Sequence, residues 1–174
     1  MERALAREGR ANLVLEKYRS LAKERTLGFC VNIRHAEYMA EYFSNHGVKA
    51  LAVHSGNTNS PYTGDRGEAV AALEKGEVKV VFAVDIFNEG VDIPALDTVM
   101  FLRPTESLTI FLQQLGRGLR KAPNKKHLVV LDFIGNYKRA HWIPALLTGE
   151  NPEKQETRGR RVLELDYPDG CQVL

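Results

Sequence analysis

The apolar positions of this chain change period several times. Across residues 2–25, Leu5, Leu13, Leu15, Tyr18, Leu21 and Ala22 recur at helical spacing among arginines and glutamates, which predicts one or two amphipathic helices. LGFCVNI then reads as a short buried strand. HAEYMAEYFSNHG follows with a helical period and stops at Gly47, a helix-ending position. VKALAVH is a second strand, and SGNTNSPYTGD is a loop dense in Gly, Ser, Asn and Pro. RGEAVAALEKG is a short helix ending on Gly76. VKVVFAV and LDTVMFL are further strands, SLTIFLQQLGRGLR is a helix, and HLVVLDF is a fifth strand. From Tyr137 the character changes: YKRAHWIPALLTG fits a short helix broken near Pro144, and ENPEKQETRGRR is charged and solvent-facing.

Strands that are apolar throughout and alternate with helices predict an α/β fold, a mainly parallel sheet covered on both faces. Three stretches result: a helical segment at residues 1–25, an α/β unit at 26–136, and a tail or the start of a further region at 137–174.

Composition adds boundaries. The 174 residues suffice for one domain with a core, and 44% apolar with 26% charged residues is ordinary for a globular chain. A net charge of +2 singles out no partner. The two cysteines, Cys30 and Cys171, make no disulfide framework, and Cys30 reads as a small buried apolar residue. His35, His46 and His127 lack ligand-spaced partners, so no metal is expected. No apolar run reaches the roughly 18 residues of a membrane span, and MERALAREGR has no apolar core of a signal peptide. A soluble, cytoplasmic protein without a membrane partner is expected. The apolar ending DGCQVL suggests a piece of something longer.

In an open parallel sheet, ligands bind beyond the carboxyl ends of the strands. Those positions here are Asn32-Ile33-Arg34-His35, His54-Ser55-Gly56, the stretch from Asp85 to Pro94, and Arg103 to Ser107. All are polar and all fall on one edge. No GxxxxGK[ST] phosphate loop occurs, and no GxGxxG follows a strand. The chain therefore lacks the parts to cradle nucleotide phosphates alone.

FLQQLGRGLR carries the most pointed chemistry. Two glycines inside a helix cost about 1 kcal/mol each relative to alanine. Gln113, Arg117 and Arg120 share a helix face, and Gly116 and Gly118 clear space beside them. Guanidinium forks with cleared space suit a polyanion such as phosphate. Cations ending a helix would also complement its dipole, which accounts for the arginines and not the glycines. Arg3, Arg7 and Arg10 could face nucleic acid, but a solvated helix face is the better reading of them.

QQLGRGLR resembles motif VI of superfamily 2 helicases, whose pattern is QxxGRxxR. IFNEGVDIP resembles motif V, and CVNIRHAEYMAEYF followed by LAVHSG resembles motif IV and the strand after it. The ordered set covers about residues 26–135. It is most similar to the DEAD/DEAH-box group related to type III restriction subunits, and only to the second RecA-like lobe of those enzymes.

The resemblance implies a RecA-like three-layer α/β/α fold and a shared active site. ATP with Mg2+ sits between two lobes, bound mainly by an N-terminal lobe absent from this chain. By motif match, Arg117 and Arg120 would be arginine fingers. Such fingers are worth roughly 10³–10⁵ in rate in other NTPases. Gln113 would position water or phosphate. Asp92 would contact ribose or couple the lobes, with Glu89, Gly90 and Gly116 shaping the nucleotide side. Nucleic acid would lie along the loop edge, touched by Asn32, Arg34, Ser55, Gly56, Asp85, Arg103 and Thr105. Such backbone contacts position without reading sequence. Many relatives carry Thr-Asp where this chain has Val84-Asp85, which fits DNA translocases better than RNA-acting enzymes.

Two other classes remain open on the residues. One is a nucleic-acid- or partner-binding module without ATPase coupling, distinguished by the absence of a phosphate loop and acidic box elsewhere in the polypeptide. The other is a small-molecule enzyme, which would need a nucleophile–base pair or a dinucleotide loop; neither is present.

Overall fold

The computed structural model describes residues 2–56, 60–84, 93, 95–104 and 128–133. They belong to one compact unit, Met1–Ile134. The element order is α1 (Glu2–Leu21), β1 (Thr26–Phe29), α2 (Ile33–Asn45), β2 (Ala50–Val53), α3 (Arg66–Lys75), β3 (Val80–Ala83), β4 (Thr98–Phe101) and β5 (Val129–Asp132). The five strands form one sheet in the order β2-β3-β1-β4-β5, and every pairing is parallel. The α/β expectation holds, with each predicted strand in place.

Strand periodicity assigns the faces. Gly28, Val80, Phe82 and Met100 point one way, toward α1 and α2, whereas Leu27, Phe29, Val81, Val99 and Phe101 point the other. β1, β3 and β4 are buried along their whole length. On the first face an aromatic column runs through the layers. Tyr18 of α1 meets Phe43 of α2 edge-on at 5.2 Å, and Phe43 meets Phe82 of β3 edge-on at 5.0 Å. Gly28 completes the column, because a Cβ there would stand 2.7 Å from the Phe82 ring. On the opposite face Phe29 and Phe101 stack at 5.6 Å.

The helix termini follow local chemistry. Asn32 caps α2, its side-chain oxygen accepting from the His35 amide at 2.9 Å. After the C-cap His46, Gly47 takes φ +82°, a conformation that favours glycine. Asp65 caps α3 by accepting from the Gly67 and Glu68 amides, and Gly76 ends it at φ +75°.

Two details depart from the sequence pattern. The buried stripe of α1 is Ala11, Val14, Leu15 and Tyr18, spaced i, i+3, i+4 and i+7; Leu13 falls off that face and is 48% exposed. The loop after β2 is also not wholly irregular. Thr63 bridges Ala52 in parallel, with Ala52 N–H donating to Tyr62 O and Gly64 N–H donating to Ala52 O. β2 is one of the two edge strands of the sheet, and this segment covers part of its open hydrogen-bonding edge.

At the amino end of the sheet, Asp97 fastens the α1–β1 connection. Its carboxylate accepts from the Glu24 and Arg25 amides, while Arg25 O accepts from the Asp97 and Thr98 amides. The buried Thr98 hydroxyl accepts from the Lys23 amide and donates to Asp97. Tyr18 lies close to this acid; burial pushes its phenol up to about 12, with Glu24 and Asp97 adding to the rise.

Candidate nucleic-acid interface at the carboxyl edge of the sheet

The register brings all five strands to an end at the same level. Phe29 pairs with Ala83 and with Phe101, Ala83 pairs with Val53, and Phe101 pairs with Asp132. Backbone bonds carry the ladder one residue further: Cys30 N–H to Ala83 O, Leu102 N–H to Phe29 O, Val84 N–H to Val53 O and Phe133 N–H to Phe101 O. The loops after β1, β2 and β4 therefore leave from one edge, as the open-sheet rule requires of a ligand-binding edge.

The β1 and β2 loops touch. A Cβ on Gly56 would stand 2.7 Å from Ile33 Cδ1, so the β2 loop lies close against the first residue of α2, and a larger residue there would make the Ile33 side chain shift. This contact gathers Asn32, Arg34, Ser55 and Gly56 into one place. Asn32, Arg34 and Ser55 are exposed. Since the Asn32 side-chain oxygen caps the helix, its outward donor capacity resides in the amide nitrogen.

Positive charge collects at the same end of α2. Arg7 of α1 lies 4.0 Å over the Tyr38 ring and donates to Arg34 O at 3.3 Å. His35 is held below its ordinary value, first by burial and then by Arg7 and Arg10. Its Nδ1 accepts from the Val31 amide at 3.4 Å. A helix amino terminus flanked by guanidinium groups suits an oxyanion such as a phosphate.

Arg103 follows β4, the strand next to β1. Burial raises the Cys30 thiol well above its ordinary range, and the Arg103 guanidinium opposes that rise, which places this charge beside the end of β1. Cys30 is fully buried, in keeping with its reading as an apolar residue.

Asp85 and Thr105 lie outside the described residues. So do Gln113, Gly116, Arg117 and Arg120, together with Glu89, Gly90 and Asp92. Of IFNEGVDIP only Ile93 is described; it is buried, and its carbonyl accepts from the Leu96 amide.

The sequence places His54 at this edge without giving it a role, and does not single out Glu37. Gly56 N–H donates to His54 Nδ1 at 3.2 Å, and His54 Nε2 lies 3.5 Å from Glu37 Oε1. Thr63 Oγ1 donates to the same carboxylate oxygen at 3.4 Å. The only signal was a histidine at the end of an apolar strand, directly before Ser-Gly. Among the described residues, no group of three or more His, Cys, Asp or Glu could hold a metal ion, and no helix is long and apolar enough to cross a membrane.

Comparison with known proteins agrees with this architecture. Residues 9–122 match the model of the helicase conserved C-terminal domain. The chain is 31% identical over 121 residues to the ATP-dependent helicase IRC3 of Saccharomyces cerevisiae, covering 70% of this chain and 17% of that protein. It is 30% identical over 153 residues to UvrABC system protein B of Borreliella burgdorferi, covering 83% of this chain and 20% of the relative. The chain thus spans about a fifth of the length of these relatives. The fold matches the RNA helicase Prp28 from Chaetomium thermophilum, with a TM-score of 0.62 at 19% identity over 85% of this chain and 37% of that one. With a five-stranded parallel RecA-like sheet and a family match over most of its length, the chain belongs to the helicase conserved C-terminal domain family.

Proposed function

We propose that this chain is the second motor lobe of an ATP-dependent nucleic-acid helicase or translocase. The observation that supports this most is the carboxyl edge of the sheet, where the β1 and β2 loops meet beside a concentration of arginines. Nucleic acid runs along this edge, its backbone touched by Asn32, Arg34, Ser55, Gly56, Asp85, Arg103 and Thr105. DNA is favoured over RNA because Val84 stands where a phosphate-binding threonine is common.

ATP with Mg2+ binds in a cleft completed by an N-terminal RecA-like lobe that carries the phosphate loop. The ion would neutralise charge on the phosphates. Arg117 and Arg120 reach the same phosphates as fingers, and Gln113 orients water or phosphate. Glu89, Gly90, Asp92 and Gly116 form the nucleotide-facing backbone and ribose contact. The chain by itself then hydrolyses no ATP.

The test compares the isolated chain with a polypeptide carrying both lobes. Arg117→Ala in the two-lobed protein should leave ATP binding nearly intact and lower hydrolysis about 10³-fold or more. Unchanged hydrolysis, or hydrolysis by the isolated chain that Arg117→Ala removes, would overturn the assignment. Nucleic-acid binding in a polypeptide with no phosphate loop anywhere would favour a binding module without ATPase coupling.

A further inference from the structure

We propose that His54, held by Glu37, is a positioning residue that fixes the Ser55-Gly56 backbone for a nucleic-acid phosphate. The proposal rests on the nucleic-acid reading above and names the device that shapes that contact.

The imidazole is buried; its side chain is 1% exposed, so it cannot itself reach a ligand. Its two nitrogens have different tasks. Nδ1 accepts from Gly56 N–H at 3.2 Å, which makes the ring neutral and puts its proton on Nε2. Among the described residues Nε2 makes no hydrogen bond, and Glu37 Oε1 lies 3.5 Å from it. Glu37 comes from α2, two turns or less from its cap, and is itself engaged by Thr63 of the edge-covering segment.

Three elements thus converge on one ring: the first residue after β2 supplies it, α2 supplies the carboxylate beside Nε2, and the loop amide of Gly56 donates to Nδ1. A carboxylate behind a histidine fixes the tautomer and the ring plane, as acceptors do behind catalytic or metal-bound imidazoles. Gly56 is pinned a second time by its contact with Ile33. The exposed Ser55 between His54 and Gly56 is therefore presented with little freedom. Such preorganisation favours binding because less ordering is needed when the ligand arrives.

The experiment uses the 174-residue chain and exploits the two nitrogens separately. His54→Asn keeps an acceptor near the Nδ1 position, whereas His54→Gln keeps a donor near Nε2 and loses the acceptor. Hydrogen exchange of the Gly56 amide is read by NMR, and binding to fluorescent oligothymidylate is measured in parallel. His54→Gln should speed Gly56 exchange and weaken oligonucleotide binding, each by about tenfold, the size of one lost hydrogen bond. His54→Asn should stay within about threefold of the native chain in both. Equal behaviour of the two variants, relative to their thermal stabilities, would overturn positioning and leave a packing role. Arg34→Ala and Ser55→Ala provide the separate control. If both bind oligothymidylate like the native chain, the nucleic-acid reading itself fails; if they weaken it while His54→Gln does not, only the positioning role fails.

Discussion

Phe82 Cδ1 lies 2.7 Å from the point a Cβ on Gly28 would occupy, and Cε1 lies 2.9 Å from it. Gly28 sits mid-strand in β1, where glycine is unfavourable in itself. The reason for it is the Phe82 ring, which Phe43 locks from above. Gly28→Ala should destabilise the chain by about 1–3 kcal/mol, the usual result of overpacking a close-packed core. Gly28→Ala with Phe82→Leu should recover part of that loss. Urea unfolding checks both; an additive double variant would show that the ring is free to move aside.

A second prediction concerns Asp97. Its carboxylate serves two backbone amides at the α1–β1 connection and also accepts from Thr98. Asp97→Ala leaves those donors short of partners and should cost about 1–3 kcal/mol. Asp97→Asn retains one acceptor oxygen and should cost less. Melting temperatures decide between them. A harmless Asp97→Ala would mean that water replaces the carboxylate without loss.

These two sites show what was legible in the sequence and what was not. The strands could be read because burial on both faces writes unbroken apolar runs such as VVFA, and β3 and β4 lie where those runs do. The caps were legible in part, because Gly47 and Gly76 stand where helices need a left-handed residue. The α1 stripe was read less well. Leu13 looks like a core residue by type, but the helical period selects Val14 and Ala11. The Thr63–Ala52 bridge was not legible, since its residues are polar and short and the pairing depends on β2 being an edge strand. At the site, Ser55 and Gly56 could be named from their place after a strand. Glu37 could not, because its link to His54 depends on how α2 packs beside β2. The arginine motif at residues 113–120 and most of residues 85–94 lie outside the described residues, so their roles rest on the family pattern.

The third prediction is a pH dependence. Folded His35 binds its proton less readily than the ordinary value of 6.5, chiefly through burial and secondarily through Arg7 and Arg10. The unfolded chain therefore binds more protons as pH falls through 6.5, and stability falls with it. Protonation also removes the acceptor that Val31 N–H uses. Above that value the contribution is fully present. His35→Asn cannot titrate, so its loss of melting temperature between pH 7.5 and pH 5.5 should be smaller than that of the native chain. Equal losses would assign the pH response to other groups.

A fourth prediction follows from the arginines at the edge. If the nucleic-acid backbone passes beside the amino end of α2, each guanidinium that meets a phosphate displaces a counterion. The logarithm of affinity then falls with the logarithm of salt by about 0.7–0.9 per contact. Arg34 is exposed, and Arg7 anchors to its carbonyl, so the two should act differently. Arg34→Ala should weaken binding of every oligonucleotide sequence alike and make the salt slope shallower by about one contact. Arg7→Lys keeps the charge but loses the planar fork that stacks on Tyr38, and should change stability more than the slope. Fluorescence titrations at several salt concentrations measure both. An unchanged slope in Arg34→Ala would move the nucleic-acid path away from α2 and toward the side of Arg103, whose charge sits beside β1 from the opposite neighbour strand.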